Sequence, residues 1–518
     1  MKSAALFLGI LVGAVALATA QGYIGRVDTI GGTTYDWFSN GPTLRWCVNA
    51  PEHGIHVGWM YSTASSGTTF DDRDMRYNYY DYATRRWNWI DPDHMQGGVN
   101  VFTHRAGYGN IDADPASGVA ITACHYAGTG GVTPKVAKDV APGAGIFDYA
   151  DGEPVLGYTQ WPALAVGQDG TIHLAVMSPG GSLYYGRIPQ GDWPNFDFLQ
   201  GPFEPSPGFP SHAIAASLVN QRVCLTWAVA DSHPTIPGYY ALSSDGGNTW
   251  AEPVELTPPD GFGGDTATSF HHTSLLPFFD RLGRLHFIVA VFPVIHDTAT
   301  FYISEIWHWC ETNTPNWNEV HRAELLPTRP VKLAGLYAGR PTMTEDTRGR
   351  LHVVWEQHDS MNVEPLTDYV RCRVWVSSSA DNGVTWLPGK PVTPRDTTSC
   401  RYPCAISFVS QDTLNMTYLQ DLVAGPFVLS EGPATDNPVI CQFVPLELVG
   451  VEESRQQAPS HKLQATVLRA LPAGVVVFDA MGRRVLNPKS GVYFVVSEPP
   501  VVSREPSAVT IRKVVIQR

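Results

Sequence analysis

Apolar and polar positions along the chain repeat one phrase. A short alternating segment leads into a glycine-containing turn, and a second, almost wholly apolar segment follows. The clearest copy runs Gly339-Arg340-Pro341-Thr342-Met343-Thr344-Glu345, turns through Asp346-Thr347-Arg348-Gly349, and continues Arg350-Leu351-His352-Val353-Val354-Trp355. A second copy spans Trp161 to Val176, and others end at Gly283 to Val289 and at Gly54 to Trp59. Weaker copies cover Asp114 to Cys124, Pro210 to Trp227 and Pro403 to Tyr418. Seven copies therefore begin near residues 43, 106, 160, 208, 270, 339 and 401. Each reads as a pair of antiparallel strands opening a small sheet. Such a sheet cannot bury both faces alone, and radial stacking about an axis solves that while protecting the edges. The pattern predicts an all-β, seven-bladed β-propeller. Tyr23 to Trp37 is expected to return to the last sheet as its closing strand and remove a free edge. His56, His173, His286 and His352 recur at one position of the phrase. A residue repeated in several blades is a packing and hydrogen-bonding element, not a catalytic centre.

The N-terminus changes the setting. Lys2 precedes an apolar run from Ala4 to Ala18, and Ala18-Thr19-Ala20 offers the small-x-small pattern of a cleavage site before Gln21. The run is shorter than the ~20 residues of a spanning helix, so the expectation is a signal peptide over 1–20 and a mature chain without a transmembrane segment. The 48 Gly, 41 Pro and 15 Trp against 16% charged residues fit short strands joined by tight turns. A formal net charge of −14 repels phosphate backbones and excludes nucleic acid as a natural partner. The eight cysteines are Cys47, Cys124, Cys224, Cys310, Cys372, Cys400, Cys404 and Cys441. In an oxidising compartment they predict at least one structural disulfide, whereas several, such as Cys224 between Val223 and Leu225, read as buried thiols. No second Cys or His pair completes a zinc pattern. The sequence assigns no cofactor and no metal. The acid-rich stretches Asp71-Asp72-Arg73-Asp74 and Asp91-Pro92-Asp93 read as solvated loop charge rather than as a supported Ca²⁺ site.

Two copies carry a further motif between their third and fourth strands. Ser243-Ser244-Asp245-Gly246-Gly247-Asn248-Thr249-Trp250 and Ser379-Ala380-Asp381-Asn382-Gly383-Val384-Thr385-Trp386 both fit S-x-D-x-G-x-T-W. This resembles the Asp-box, or bacterial neuraminidase repeat, of sialidase-like propellers. Its chemistry is structural. Ser243, Asp245 and Gly247, like Ser379, Asp381 and Gly383, close the turn, while Trp250 and Trp386 are expected to wedge the hairpin against its own blade. Degenerate counterparts run from Asp81 to Trp87 and from Glu311 to Trp317.

The rhythm stops after Leu448, so the propeller is assigned to 21–448. A polar stretch over 449–463 reads as a linker. Residues 464–518 then carry three blocks: Phe478-Asp479-Ala480-Met481-Gly482-Arg483-Arg484-Val485, Gly491-Val492-Tyr493-Phe494-Val495, and Lys513-Val514-Val515-Ile516-Gln517-Arg518. Their alternation predicts a small C-terminal β-sandwich, as an adhesive module would also show. In order and position they resemble the type A sorting domain of type IX secretion substrates. That resemblance implies Sec export, passage across the outer membrane and type IX machinery as a partner. The expected address is secreted or outer cell surface.

Candidate ligand-binding residues stand where inner strands begin and side chains reach the axis: Arg45, Arg105, Trp161, Arg340, Arg401 and Tyr402, with Phe209 and His271 in comparable places. Guanidinium forks with aromatic faces suit an acidic sugar. Asp114, Glu356 and Asp359 are candidate acids. The alternative for each arginine is a pairing with a neighbouring blade. Sialidases of the resembled family use three arginines, an Asp, and a Tyr activated by a Glu, and open with an Arg-Ile-Pro motif in the first blade. Here Arg187-Ile188-Pro189 lies in the third repeat. The leading expectation is a propeller that binds glycan or a surface protein at its channel mouth, and the alternative is an exo-acting glycoside hydrolase of sialidase type. Catalytic residues are not assigned.

Overall fold

The computed structural model describes residues 22–449 apart from 43, 68, 129–130, 152–158, 230–234, 263–265, 296–297, 300–302, 324–335 and 410. Beyond these it describes 466–468, 475–478, 485, 491–497 and 510–516. The expected signal peptide and linker lie outside the described residues. By its contacts the chain divides into two units, Met1–Val451 and Glu452–Arg518.

The first unit is a seven-bladed β-propeller. Blade 1 pairs Cys47–Ala50, Gly54–Tyr61, Asp74–Asp81 and Arg86–Trp87 in order. Blade 2 uses Ala106–Ala113, Ala120–Gly128, Gly131–Asp139 and Phe147–Asp151. Blade 3 uses Gln160–Val166, Ile172–Met177, Leu183–Ile188 and Asp197–Phe203, and blade 4 uses Ala213–Ala216, Val223–Ala228, Gly238–Ser243 and Val254–Leu256. In blade 5 the inner edge is split, with Thr266–Phe270 and Leu276–Phe279 both pairing the long strand Leu285–Ile295, followed by Glu305–Cys310 and Trp317–Arg322. Blade 6 uses Ala338–Glu345, Leu351–Val363, Val370–Ser379 and Lys390–Pro391. Blade 7 uses Ser399–Ala405, Thr413–Asp421 and Asn437–Pro445, and Arg26–Thr33 closes it antiparallel to the last of these.

Second strands sit between neighbouring blades, so both faces are covered and the period-2 alternation disappears. Gly54–Tyr61, Ile172–Met177 and Val223–Ala228 are buried along their whole length. Trp59, Trp227 and Trp355 on second strands are fully buried. The phrase histidines are buried as well and tie second strands to third strands. His56 Nδ1 meets the Tyr77 hydroxyl at 2.7 Å, His173 Nδ1 meets Tyr185 at 2.7 Å, His286 Nδ1 meets His308 at 2.9 Å, and His352 Nδ1 meets Ser378 at 2.7 Å.

The two S-x-D-x-G-x-T-W hairpins have the same hydrogen bonds. The Ser243 hydroxyl donates to Asp245 and accepts from Gly247 N, while Asp245 accepts from Thr249 N at 2.9 Å and its hydroxyl at 2.7 Å. Ser379, Asp381, Gly383 and Thr385 repeat the set. The tryptophans reach beyond their own blade. Trp250 of blade 4 packs edge-on against Tyr185 and Phe203 of blade 3, and Trp386 of blade 6 packs on His308 of blade 5. Gly247 and Gly383, at φ +83° and +79°, lie directly on the same Tyr185 and His308, and a Cβ at either would overlap them. The hairpin is therefore a clamp between blades.

The expected disulfide is absent: all eight cysteines are free and buried. Cys400 and Cys404 lie four residues apart on one strand, roughly 13 Å at ~3.3 Å per residue, about twice the Cα separation a disulfide spans. The other six are buried in separate blades, Cys310 among polar groups that include Thr312 and Asn382.

In the second unit the described strands form one sheet in the order Thr466–Leu468, Thr510–Ile516, Gly491–Ser497 and Val475–Phe478, its first pair parallel. A second layer of the expected sandwich is not among the described residues, and neither is the Met481-Gly482 turn. No helix among the described residues is long and apolar enough to cross a membrane.

Candidate functional site

Four inner strands break register at the same place, near their first residues. In blades 2, 3, 6 and 7 two residues face one on the second strand: Tyr108-Gly109, Trp161-Pro162, Arg340-Pro341 and Tyr402-Pro403. Proline suits a bulge because it has no N–H to give the ladder. The preceding residue takes a positive φ of 48–55° in all four blades. Non-glycine residues held there cost of order 1–3 kcal/mol each and concentrate at binding and catalytic sites. The bulges aim Tyr108, Trp161, Arg340 and Tyr402 at the axis, where residues 34–42 cross the channel mouth. Tyr35 contacts Tyr108, Phe38 stacks on Tyr402 at 5.5 Å, and Arg340 donates to the Gly41 carbonyl.

On the side of blades 6 and 7 the charges are satisfied internally. Glu356 accepts Arg340 Nε at 3.2 Å, Arg401 Nε at 3.1 Å and Tyr402 N at 2.8 Å. Burial alone would raise the Glu356 carboxyl, but the Arg401 and Arg340 guanidiniums hold it below its ordinary value. The cluster is buried beneath Trp37 and Phe38, with Tyr402 wholly inaccessible. Asp36, in the crossing segment, accepts Phe427 N and Val428 N, and burial pushes it up to about 6.

The side of blades 1 to 4 differs. Arg73, 5% exposed, donates to the Ala106 carbonyl, the Tyr35 hydroxyl and His125 Nε2, and meets no carboxylate among the described residues. Its sequence neighbour Asp74 is pushed up to about 8 by burial, so it is largely uncharged at neutral pH. Arg105 donates through Nε to the carbonyls of Thr69 and Phe70.

The imidazole tautomers follow from these partners. Arginine only donates, so His125 Nε2 accepts at 3.2 Å and the ring proton sits on Nδ1, which has no partner. Burial and the Arg73 and Arg105 charges keep His125 neutral. His212 Nε2 faces the Trp161 carbonyl at 2.7 Å and must carry the proton, and Nδ1 makes no hydrogen bond of normal geometry, although the Ala175 backbone also acts on the ring. Burial lowers His212 to about 4. The Trp161 indole N–H is also unpartnered. Tyr108, Trp161 and His212 line one small cleft, and His125 packs against its two aromatic rings. The His125 ring stands 4.9 Å from Tyr108 and 6.1 Å from Trp161, centroid to centroid.

The sequence candidates are therefore dispersed. Trp161 belongs to the open cluster, with Arg105 beside it. Arg340, Arg401 and Tyr402 belong to the closed one with Glu356. Arg45 pairs with Asp112 deeper in the channel. Phe209 packs edge-on against His272, and His271 bonds Thr273. Asp114 caps its own turn, Asp359 binds Arg395, and Asp72, Asp91 and Asp93 bond groups in their own loops. Arg73, Tyr108, His125 and His212 were not among the candidates. The Tyr108-Gly109 pair sits where Trp161-Pro162 does, so Tyr108 was within reach of the repeat alignment.

No family model and no curated protein matches the chain. Among solved structures, an ulvan lyase of a new polysaccharide lyase family is similar at 12% identity and TM-score 0.47, over 80% of this chain and 96% of that one. A Hadza microbial sialidase is similar at 12% identity and TM-score 0.37, over 74% and 75%. A Penicillium chrysogenum alpha-L-arabinanase is similar at 12% identity and TM-score 0.38, over 70% and 96%. Likeness at this level leaves the chemistry to be read from this chain's own residues.

Proposed function

We propose that the propeller binds an anionic glycan at the channel mouth between blades 1 and 4. The observation that carries this reading is the set of three buried ring nitrogens without a hydrogen bond of normal geometry, on His125, Trp161 and His212. Buried polar atoms are nearly always satisfied, so bare nitrogens on residues around one channel mouth favour a ligand there. A hydroxyl both donates and accepts, which matches two N–H donors and one bare nitrogen, and a sugar ring supplies adjacent hydroxyls with an apolar face for Trp161 or Tyr108. Arg73, buried without a counter-anion, supports a carboxylate or sulfate on that sugar. The sialidase-type alternative gains less support: Arg340 and Arg401 are already bound to Glu356 under an aromatic roof, and Arg45 is bound to Asp112. The test is an array of paired oligosaccharides, each uronate- or sialate-bearing member beside its neutral counterpart. Retention of anionic members alone is expected, and equal retention or none would overturn the proposal.

We further read the two clamps as Asp-boxes and the C-terminal unit as a type IX sorting domain, following a signal peptide. Support for the second comes from strands Val475–Phe478, Gly491–Ser497 and Thr510–Ile516, which overlap the three sequence blocks. On this reading the protein acts outside the cell, where glycans are accessible.

A further inference from the structure

We propose a second ligand site at the opposite end of the axial channel, built for an uncharged, ring-sized molecule that carries a hydrogen-bond-accepting oxygen. It does not depend on the glycan reading, because it shares none of those residues. The inner strands of blades 1 to 5, together with residues just beyond that of blade 7, surround a cavity of about 300 Å³. That is the lower end of the range of small-molecule pockets.

Its chemistry is divided. Phe278, Phe279 and Phe408 form an apolar wall, continued at the surface by the 40% exposed Leu218. Asn49, only 7% exposed, also lines the cavity, and its side-chain Nδ2 has no partner among the described residues. The Arg45–Asp112 pair lies in the same wall. Asp112 is largely committed, since its carboxylate accepts Arg45, Ala113 N and Val166 N.

These groups select a ligand class. A cation would find carboxylates only at the entrance, on Glu52 and Asp114, and none free deeper in, where Asp112 is paired with Arg45. An anion would meet an Arg45 charge already cancelled by Asp112, and would pass Glu52 and Asp114 on the way in. A neutral acceptor oxygen takes the orphaned Asn49 N–H, and an apolar ring covers the phenylalanines. An apolar wall makes a poor water site, because a buried water needs two to four polar partners.

The experiment is saturation-transfer NMR on the mature full-length protein with acetophenone, ethylbenzene and benzoate. They share a ring and differ in carrying a neutral acceptor, no acceptor and a charge. Acetophenone is expected to bind about five-fold more tightly than ethylbenzene, the weight of one hydrogen bond, and benzoate not at all. Asn49→Ala should bring acetophenone down to the level of ethylbenzene. Ala216→Leu, at a half-buried lining position, should abolish transfer to both. Transfer to none of the three probes, equal transfer to all, or transfer indifferent to Ala216→Leu would each overturn the proposal. An unaltered acetophenone-to-ethylbenzene ratio in Asn49→Ala would overturn the role of Asn49.

Discussion

Gly247→Ala should destabilise the propeller by about 2–5 kcal/mol, well beyond the cost of the same change at its neighbour Gly246. Both glycines have positive φ, +83° and +70°, and a Cβ at such an angle costs roughly 1–2 kcal/mol. At Gly246 nothing more is added, since the new methyl would meet only the Gln221 side chain at 3.7 Å. At Gly247 the methyl overlaps the Tyr185 hydroxyl. Tyr185 must then swing off His173, whose Nδ1 is left buried and unpaired at a further cost of about 1–3 kcal/mol. Urea titration followed by tryptophan fluorescence is the assay. All 15 tryptophans lie between Trp37 and Trp386, so the signal reports the propeller unit alone. Melting temperature is a poorer readout, because in a unit of this size 1 kcal/mol moves the midpoint only about 1–2 °C. Tyr185→Phe removes the nearest overlapping atom, the hydroxyl whose bond to His173 the new methyl already breaks, while ring Cζ stays 2.5 Å away. In the Gly247→Ala background it should therefore cost at least about 1 kcal/mol less than it does alone. Additivity within about 0.5 kcal/mol, or equal losses for the two glycine variants, would refute the clamp.

Further outcomes follow from the same structure. Trp250→Ala and Trp386→Ala should each cost about 2–3 kcal/mol in the same titration, below the ~3–5 of a fully buried aromatic because both rings are half-exposed. Asp74 has a folded pKa of about 8 against an unfolded value near 4. The folded state binds the extra proton across that window, so this group's contribution to stability falls as pH rises from about 4 to about 8 and is flat above. Asp74→Asn should remove that slope, and parallel stability profiles for the two proteins between pH 5 and 8 would contradict it. Deleting residues from about 452 onward should leave the fluorescence-detected transition of the propeller unchanged. In a type IX-competent host the truncated chain should accumulate in the periplasm, and its appearance outside the cell at the full-length level would sink the sorting-domain reading.

The repeat made the blades legible. Each phrase became a first and second strand, and the Tyr23–Trp37 segment supplied the closing strand Arg26–Thr33. The bulges were also written in the sequence, as Trp161-Pro162, Arg340-Pro341 and Tyr402-Pro403, because a proline inside an inner strand demands an interruption of the ladder. The sequence left each arginine two fates, a ligand or a pairing with a neighbouring blade. Only the meeting of the Arg340 and Arg401 strands with Glu356, on the second strand of blade 6, shows these two spent. Conversely, Arg73 lies in an acid-rich loop that reads as solvated charge. Folding carries it inward beside His125 and away from every described carboxylate. The direction taken by Trp250 and Trp386 was equally hidden, since a motif fixes its own turn but says nothing of the blade that the ring reaches.

The central claim is most directly tested by the Trp161 indole N–H. In a protein with ¹⁵N-labelled tryptophan, that resonance is identified by its loss in Trp161→Phe. It is then followed while oligogalacturonate, a hyaluronan fragment and sialyllactose are titrated in turn against their neutral counterparts. The account predicts that at least one anionic oligosaccharide moves the Trp161 indole resonance as a hydrogen bond forms, that Arg73→Lys weakens the response, and that the neutral counterpart leaves it in place. An indole resonance that stays still with every sugar, or an anionic sugar that moves Trp37 and leaves Trp161 unchanged, would contradict it.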